Sequence, residues 1–179
     1  MTLEDAAAMA VAVPEEAGAA DEYEACEHAR RMMAALGFPL HEPGMVGTPA
    51  RLVNALRELT GGLREDPGRH LEVTFPPESN DPGLIAVTNV PFISLCEHHL
   101  LPFTGAMTVA YVPAPGAPIV GLSKLARMAQ GFAAMPQVQE HLGEQIAETL
   151  HTKLESLKGV FRTEPAMREN FFRLHSSGV

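Results

Sequence analysis

The sequence predicts an α+β fold, and two periodic patterns carry that prediction. Apolar residues recur at three- and four-residue steps through Tyr23, Cys26, Ala29, Met33 and Leu36, and again through Val138, Leu142, Ile146 and Leu150. That is the period of a helix with one buried face. Between these blocks, Leu84–Leu95 and Gly105–Val112 are strand-like, rich in β-branched residues and alternating with period two in the second. The two stretches should pair as an antiparallel hairpin.

Taken in order, residues 1–20 are Ala-rich and acidic, broken by Pro14 and Gly18, and are expected to be a mobile tail. Residues 21–63 form an N-terminal helical region. Its first helix starts at Asp21 and is closed by Gly37. Cys26 lies on that helix's apolar face and is expected as a small core residue. A connector holding Pro and Gly spans 38–47, and Thr48 should cap a second helix with Pro49 at its first position. Gly61-Gly62 ends it.

Residues 64–179 form the main domain. A loop surrounds a short strand at Glu72–Phe75, the hairpin follows, and Pro113–Pro118 is a turn. Ser123 is expected as the N-cap of a helix from Lys124 to Ala134, and Pro136 as the opening of another that runs to Leu154. Ser156–Arg162 reads as extended, and Thr163 and Pro165 start a terminal helix.

With 179 residues the chain can bury one real core. No apolar run is long enough to span a bilayer. Glu4 and Asp5 stand where a secretory leader would be basic. Two cysteines, Cys26 and Cys96, make no disulfide framework, so the cytosol is the expected compartment. A formal net charge of −9 disfavours a general nucleic-acid surface but permits a local basic pocket for a phosphorylated small molecule.

Chemistry concentrates between the two strands, in Ser94–Phe103, SLCEHHLLPF. Cys96 and His99 sit three apart, a spacing that lets both meet one ion from a single turn. Zinc takes thiolate and neutral imidazole together, and three protein ligands with one open position make a catalytic site. The bland alternative is a buried thiol beside two partly solvated histidines.

Further motifs decide between these. TPAR at 48–51, CEHHLLPFTG at 96–105, VAYVP at 109–113, IVGLSKLAR at 119–127, PQVQE at 136–140 and the closing GVFRTEP followed by Arg168 stand in one order. Together they resemble the GTP cyclohydrolase I family, zinc enzymes that open pteridine biosynthesis. The resemblance implies a T-fold (tunnelling fold), with helices packed on an antiparallel sheet and an N-terminal helical extension. It also implies GTP as substrate, Zn2+ as cofactor and a ring-shaped homo-oligomer, a decamer in the family.

By the same resemblance, Cys96 and His99 match the first two metal ligands. His98 matches a catalytic His that works as general acid and base on the opening imidazole ring. Glu140, with Gln139 beside it, matches the carboxylate that takes the guanine N1–H and 2-amino donors. Ser123, Lys124 and Arg127 match triphosphate contacts in the first turns of a helix, where free N–H groups and the dipole favour anions. Arg51 matches a further phosphate contact that the resemblance places on a neighbouring subunit. Water activated by the metal would attack C8 of the purine, which leaves as formate.

One departure is large. The family carries a β-hairpin after the helix that ends near Leu154, and that hairpin holds a third zinc ligand (a Cys), a second catalytic His and a phosphate-binding Arg. Here Glu155 runs directly into Ser156-Leu157-Lys158-Gly159, which resembles the far end of that hairpin. The sheet is therefore expected to be truncated to two strands, and zinc to have two protein ligands. Three explanations fit: the sequence omits a segment, the protein is a deletion form, or a partner chain supplies the strands. The alternatives to an active enzyme are a non-catalytic relative that binds nucleotide as a scaffold, and another T-fold enzyme acting on a pterin or deazapurine. The phosphate-facing set Ser123, Lys124 and Arg127 speaks against the last.

Overall fold

The computed structural model describes residues 22–77 and 83–154, together with Glu169 and Arg173. The expected tail at 1–20, the extended segment at 156–162 and the terminal helix, those two residues apart, lie outside this range. The chain divides into two compact units, Met1–Leu56 and Arg57–Val179.

In the first unit, α1 spans Glu22–Ala35 with Glu22 and Glu24 in its first turn, where carboxylates favour the helix dipole. Gly37 ends it as expected, in the left-handed region at φ 82. Of the apolar positions, Met33 is buried, while Tyr23 and Leu36 are exposed. Cys26, expected in the core, is only half-buried. The second helix, α2, spans Thr48–Leu59. Thr48 is its first helical residue rather than its cap, because the Gly47 carbonyl accepts the first helical bond, from Arg51 N–H at 3.1 Å.

The last turn of α2 belongs to the second unit, which continues with two 3-10 turns, Gly61–Arg64 and Pro67–Leu71. The strands are β1 (Thr74–Phe75), β2 (Ile85–Cys96), β3 (Pro102–Tyr111), β4 (Ile119–Val120) and β5 (Pro136–Gln137). The helices are α3 (Leu122–Ala133) and α4 (Gln139–Leu154). The hairpin predicted from alternation is present: β2 and β3 pair antiparallel from Ile85–Tyr111 to Leu95–Pro102. Its register slips between Val87 and Val90, where Asn89 takes φ 57. Asn tolerates that left-handed geometry better than most residues, so the bulge falls on it.

The sheet is not reduced to two strands. β5 adds to β2 in parallel, giving the order β3-β2-β5, and a separate pair joins β1 to β4. This also corrects the expected helix start: Pro136 belongs to β5, and α4 begins at Gln139. Likewise Gly121, not Ser123, is the N-cap of α3, with extended φ −65 and ψ 142 and no side-chain capping bond.

The core joins the inward face of β3 (Val109, Tyr111) to α3 (Leu125, Met128, Ala129, Ala133) and α4 (Leu142, Ile146, Leu150, Leu154), with Leu71 from the second 3-10 turn. Each fully buried Leu contributes on the order of 2 kcal/mol through apolar area removed from water. The Tyr111 hydroxyl accepts the Val120 N–H at 3.0 Å, which satisfies it inside this core. Burial raises its pKa, and the Val120 bond opposes that.

Candidate active site

The β2–β3 loop presents the predicted cluster. Cys96 N–H donates to the Leu101 carbonyl at 2.9 Å, and Leu100 N–H donates back to the Cys96 carbonyl at 2.8 Å. These bonds close a tight loop around Glu97, His98 and His99. Leu100 completes it at φ 55, a left-handed conformation that costs a non-glycine residue energy and suits a tight turn.

The loop sorts its donors. Cys96 Sγ lies 3.7 Å from His98 Nδ1, and His98 Nε2 lies 3.7 Å from Glu97 Oε1. His98 is thus set between a thiol and a carboxylate. His99 folds back on the loop, its Nδ1 accepting the Leu101 N–H at 3.2 Å.

Zinc would impose its own distances on these donors. Zn–S near 2.3 Å and Zn–N near 2.0 Å place two tetrahedral donors roughly 3.5 Å apart. The 3.7 Å between Cys96 Sγ and His98 Nδ1 matches one such edge. Among the described residues, however, no group of three or more His, Cys, Asp or Glu is placed to hold a metal ion. One edge fits; a complete catalytic zinc shell does not.

Strand β5 ties this loop to the next predicted group. Cys96 pairs with Gln137, and Glu97 N–H donates to the Gln137 carbonyl at 3.1 Å. Gln137 is buried, and its amide donates to the Phe132 carbonyl at 2.9 Å and to Gln145 Oε1 at 2.7 Å. Ser94, also buried, donates to the Met135 carbonyl at 3.0 Å. Gln137 and Ser94 hold loop and helix in register, and the sequence did not single them out. The alternation of β2 could have flagged Ser94 as an inward polar residue; nothing local flags Gln137.

Gln139 and Glu140 follow in the first turn of α4, both exposed. Gln139 lines a groove of about 560 Å³ between β3 and α4, whose walls include Phe92, Phe103, Met107, Leu142 and Ile146. Ser123, Lys124 and Arg127 lie in the first turns of α3, where Lys124 N–H bonds the Gly121 carbonyl at 2.8 Å. Arg51 belongs to the first unit, its guanidinium donating to the Gly44 carbonyl and Thr48 Oγ1, both at 2.8 Å.

An antiparallel hairpin packed against helices, with a Cys-His loop at its tip, makes this an α+β protein. The profile of the GTP cyclohydrolase I family matches residues 25–161. GTP cyclohydrolase 1 of Pelotomaculum thermopropionicum is 42% identical over 134 residues, 75% of this chain and 70% of that protein. GTP cyclohydrolase 1 of Corynebacterium glutamicum is 43% identical over 136 residues, 76% and 68%. That of Pyrobaculum neutrophilum is 45% identical over 130 residues, 72% and 67%. The chain belongs to the GTP cyclohydrolase I family, a family of hydrolases. Among the described residues no helix is long and apolar enough to cross a membrane.

Proposed function

We propose that this chain hydrolytically opens the purine ring of GTP, releasing formate and yielding 7,8-dihydroneopterin triphosphate for pterin and folate synthesis, in the cytosol and as a ring-shaped homo-oligomer. The observation that supports it is the direct pairing of Cys96 with Gln137, which sets the Cys-His loop beside the start of α4 and Glu140.

Glu140 accepts the guanine N1–H and 2-amino donors, with Gln139 as neighbour. Lys124 and Arg127, with the Ser123 hydroxyl, hold the triphosphate by charge-assisted bonds at the start of α3. Arg51 adds a phosphate contact from a neighbouring subunit. His98 exchanges a proton with the purine nitrogen: one ring nitrogen is steadied by the thiol or carboxylate beside it while the other gives or takes the proton. Zinc is the cofactor of this proposal, with Cys96 and His99 as ligands. His98 is the imidazole that lies next to the sulfur, so it competes with His99 for that place. The shell needs a donor from outside the described residues.

A second proposal rests on the two-donor edge itself. A site with no third donor binds zinc weakly, and the chain would then serve as a nucleotide-binding scaffold without turnover. Incubating the full-length, zinc-supplemented protein with GTP separates the two. Formate release with a fluorescent pterin product, and stoichiometric zinc after gel filtration, are expected. GTP binding without either product overturns the enzyme and leaves the scaffold.

A further inference from the structure

The groove of about 560 Å³ between β3 and α4 is walled by apolar side chains that stop short of burial. Phe92, Phe103 and Met107 are each only half-buried, and Ala106 and Ala147 are exposed. Phe92 and Phe103 meet edge to face with ring centroids 6.0 Å apart, so part of the wall is aromatic. On α4 the groove reaches from Gln139 to Leu150, about 17 Å of helix. That end lies one turn short of Leu154, where α4 stops.

The same unit carries a matching face further along the chain. Glu169 and Arg173 are helical and exposed, and Arg173 Nη2 donates to Glu169 Oε1 at 3.3 Å, one turn away. They mark the wet side of a helix. At about 100° per residue, the Phe171 position falls about 200° round from Glu169. Met167 and Leu174 share its side at four- and three-residue steps. The sequence therefore sets an apolar stripe opposite the ion pair. A short helix with one such stripe is held by packing it on another apolar surface rather than by its own propensity.

Length and reach select the groove. The helix expected from Thr163 to Leu174 would be about 18 Å long, which matches the groove. The eight residues between Leu154 and Thr163 extend to about 28 Å, so either end of the groove is within reach. A tether that short holds the stripe at an effective concentration of roughly millimolar, which a free partner would have to match. The small side chains of Ala106 and Ala147 leave room for a Phe ring.

We propose that the terminal helix lays Met167, Phe171 and Leu174 into the groove between β3 and α4 of its own subunit. Glu169 and Arg173 then face water, and Phe92, Phe103 and Met107 are withdrawn from it. Helix backbone bonds are internal, so the docked helix takes none from β3, and the edge of that strand stays open to another chain.

The test is NMR of the full chain, with Phe rings protonated and Ile and Met methyls labelled in a deuterated background. Phe171→Leu identifies the Phe171 ring by its loss. Nuclear Overhauser contacts from that ring to the Ile146 and Met107 methyls are expected. They should persist when labelled chains are refolded together with a large excess of unlabelled ones. Ala147→Arg puts a charge in the groove without opening a core cavity. It should abolish those contacts, raise binding of a hydrophobic dye and lower the thermal midpoint by about 5 °C. At a surface position that covers nothing, the same change should move the midpoint by only about 1–2 °C. Absence of both contacts in the wild type overturns the proposal without any variant. Contacts that vanish on dilution with unlabelled chains place a neighbouring copy's helix in the groove, and overturn it too. So does Ala147→Arg that leaves contacts and midpoint as they were.

Discussion

At the scale of single residues, the loop at the hairpin tip is held by one strained backbone position. Leu100 is left-handed and its side chain is 49% exposed, so little packing compensates the strain. Leu100→Gly is expected to keep or raise the thermal midpoint, whereas Leu100→Val should cost about 1 kcal/mol, because a branched Cβ crowds that conformation further. Thermal unfolding followed by circular dichroism checks both. Asp66 offers a titration. Its bond from Lys153, and then that from Gly68 N–H, hold its carboxyl below the usual range. A depressed folded-state pKa means its contribution is present above the unfolded value and is lost as pH falls through the folded one. Asp66→Asn should therefore cost a little stability at neutrality, where the ionised carboxylate contributes, and flatten stability against pH below about pH 4, where the wild type is already losing that contribution. Urea midpoints measured across that range decide it, and the effect should be small because the pair is solvent-screened.

At the scale of elements, legibility followed how local the cause is. The β2–β3 hairpin was readable because alternation is a local signal, and its loop inherited the Cys-His text. β5 was not readable. Its two residues are a strand only because Leu95 and Cys96 lie beside them, and Pro136 by itself looks like a helix start. The same holds for α3, where Ser123 carried the usual cap chemistry while the backbone placed Gly121 at the cap. The motif text supplied Cys96, His98, His99 and Glu140 as candidates. It could not show that His98, rather than His99, lies next to the sulfur, because that depends on which way a ring turns. Packing between elements makes a paired prediction. A Cβ on Gly62 would lie 2.2 Å from the Gly131 carbonyl oxygen and 2.8 Å from that of Ala134, both backbone atoms that cannot step aside. Gly62→Ala should cost more than about 2 kcal/mol. Gly143, inside α4, meets nothing within 4 Å. Gly143→Ala should stabilise by about 0.5–1 kcal/mol through helix propensity. Denaturant midpoints of the two variants should move in opposite directions.

At the scale of the whole molecule, the sheet ends, among the described residues, on β3, which pairs there with β2 alone. From Pro102 to Tyr111 that edge strand has no charged residue, and the groove between it and α4 is walled largely by apolar side chains. An edge without Lys, Glu or an internal Pro lacks the devices that keep strands from pairing with other chains. The proposed homo-oligomer gives this edge something to meet, and the exposed apolar positions around it become buried rather than wet. The consequence is a dissociation experiment. Ala106 is exposed on β3, so Ala106→Lys places a charge at the edge without opening a core cavity. Light scattering is expected to give the wild type a mass that is a multiple of 19.2 kDa. The variant should give a smaller species with unchanged far-ultraviolet circular dichroism. A variant that keeps the wild-type mass would mean that copies meet elsewhere and that this edge stays free in the assembly. Because Arg51 is proposed to reach a neighbour's triphosphate, the smaller species should also bind GTP more weakly. Mixing the variant with Arg51→Ala chains should then restore nothing, since one parent fails to assemble and the other lacks the donated cation.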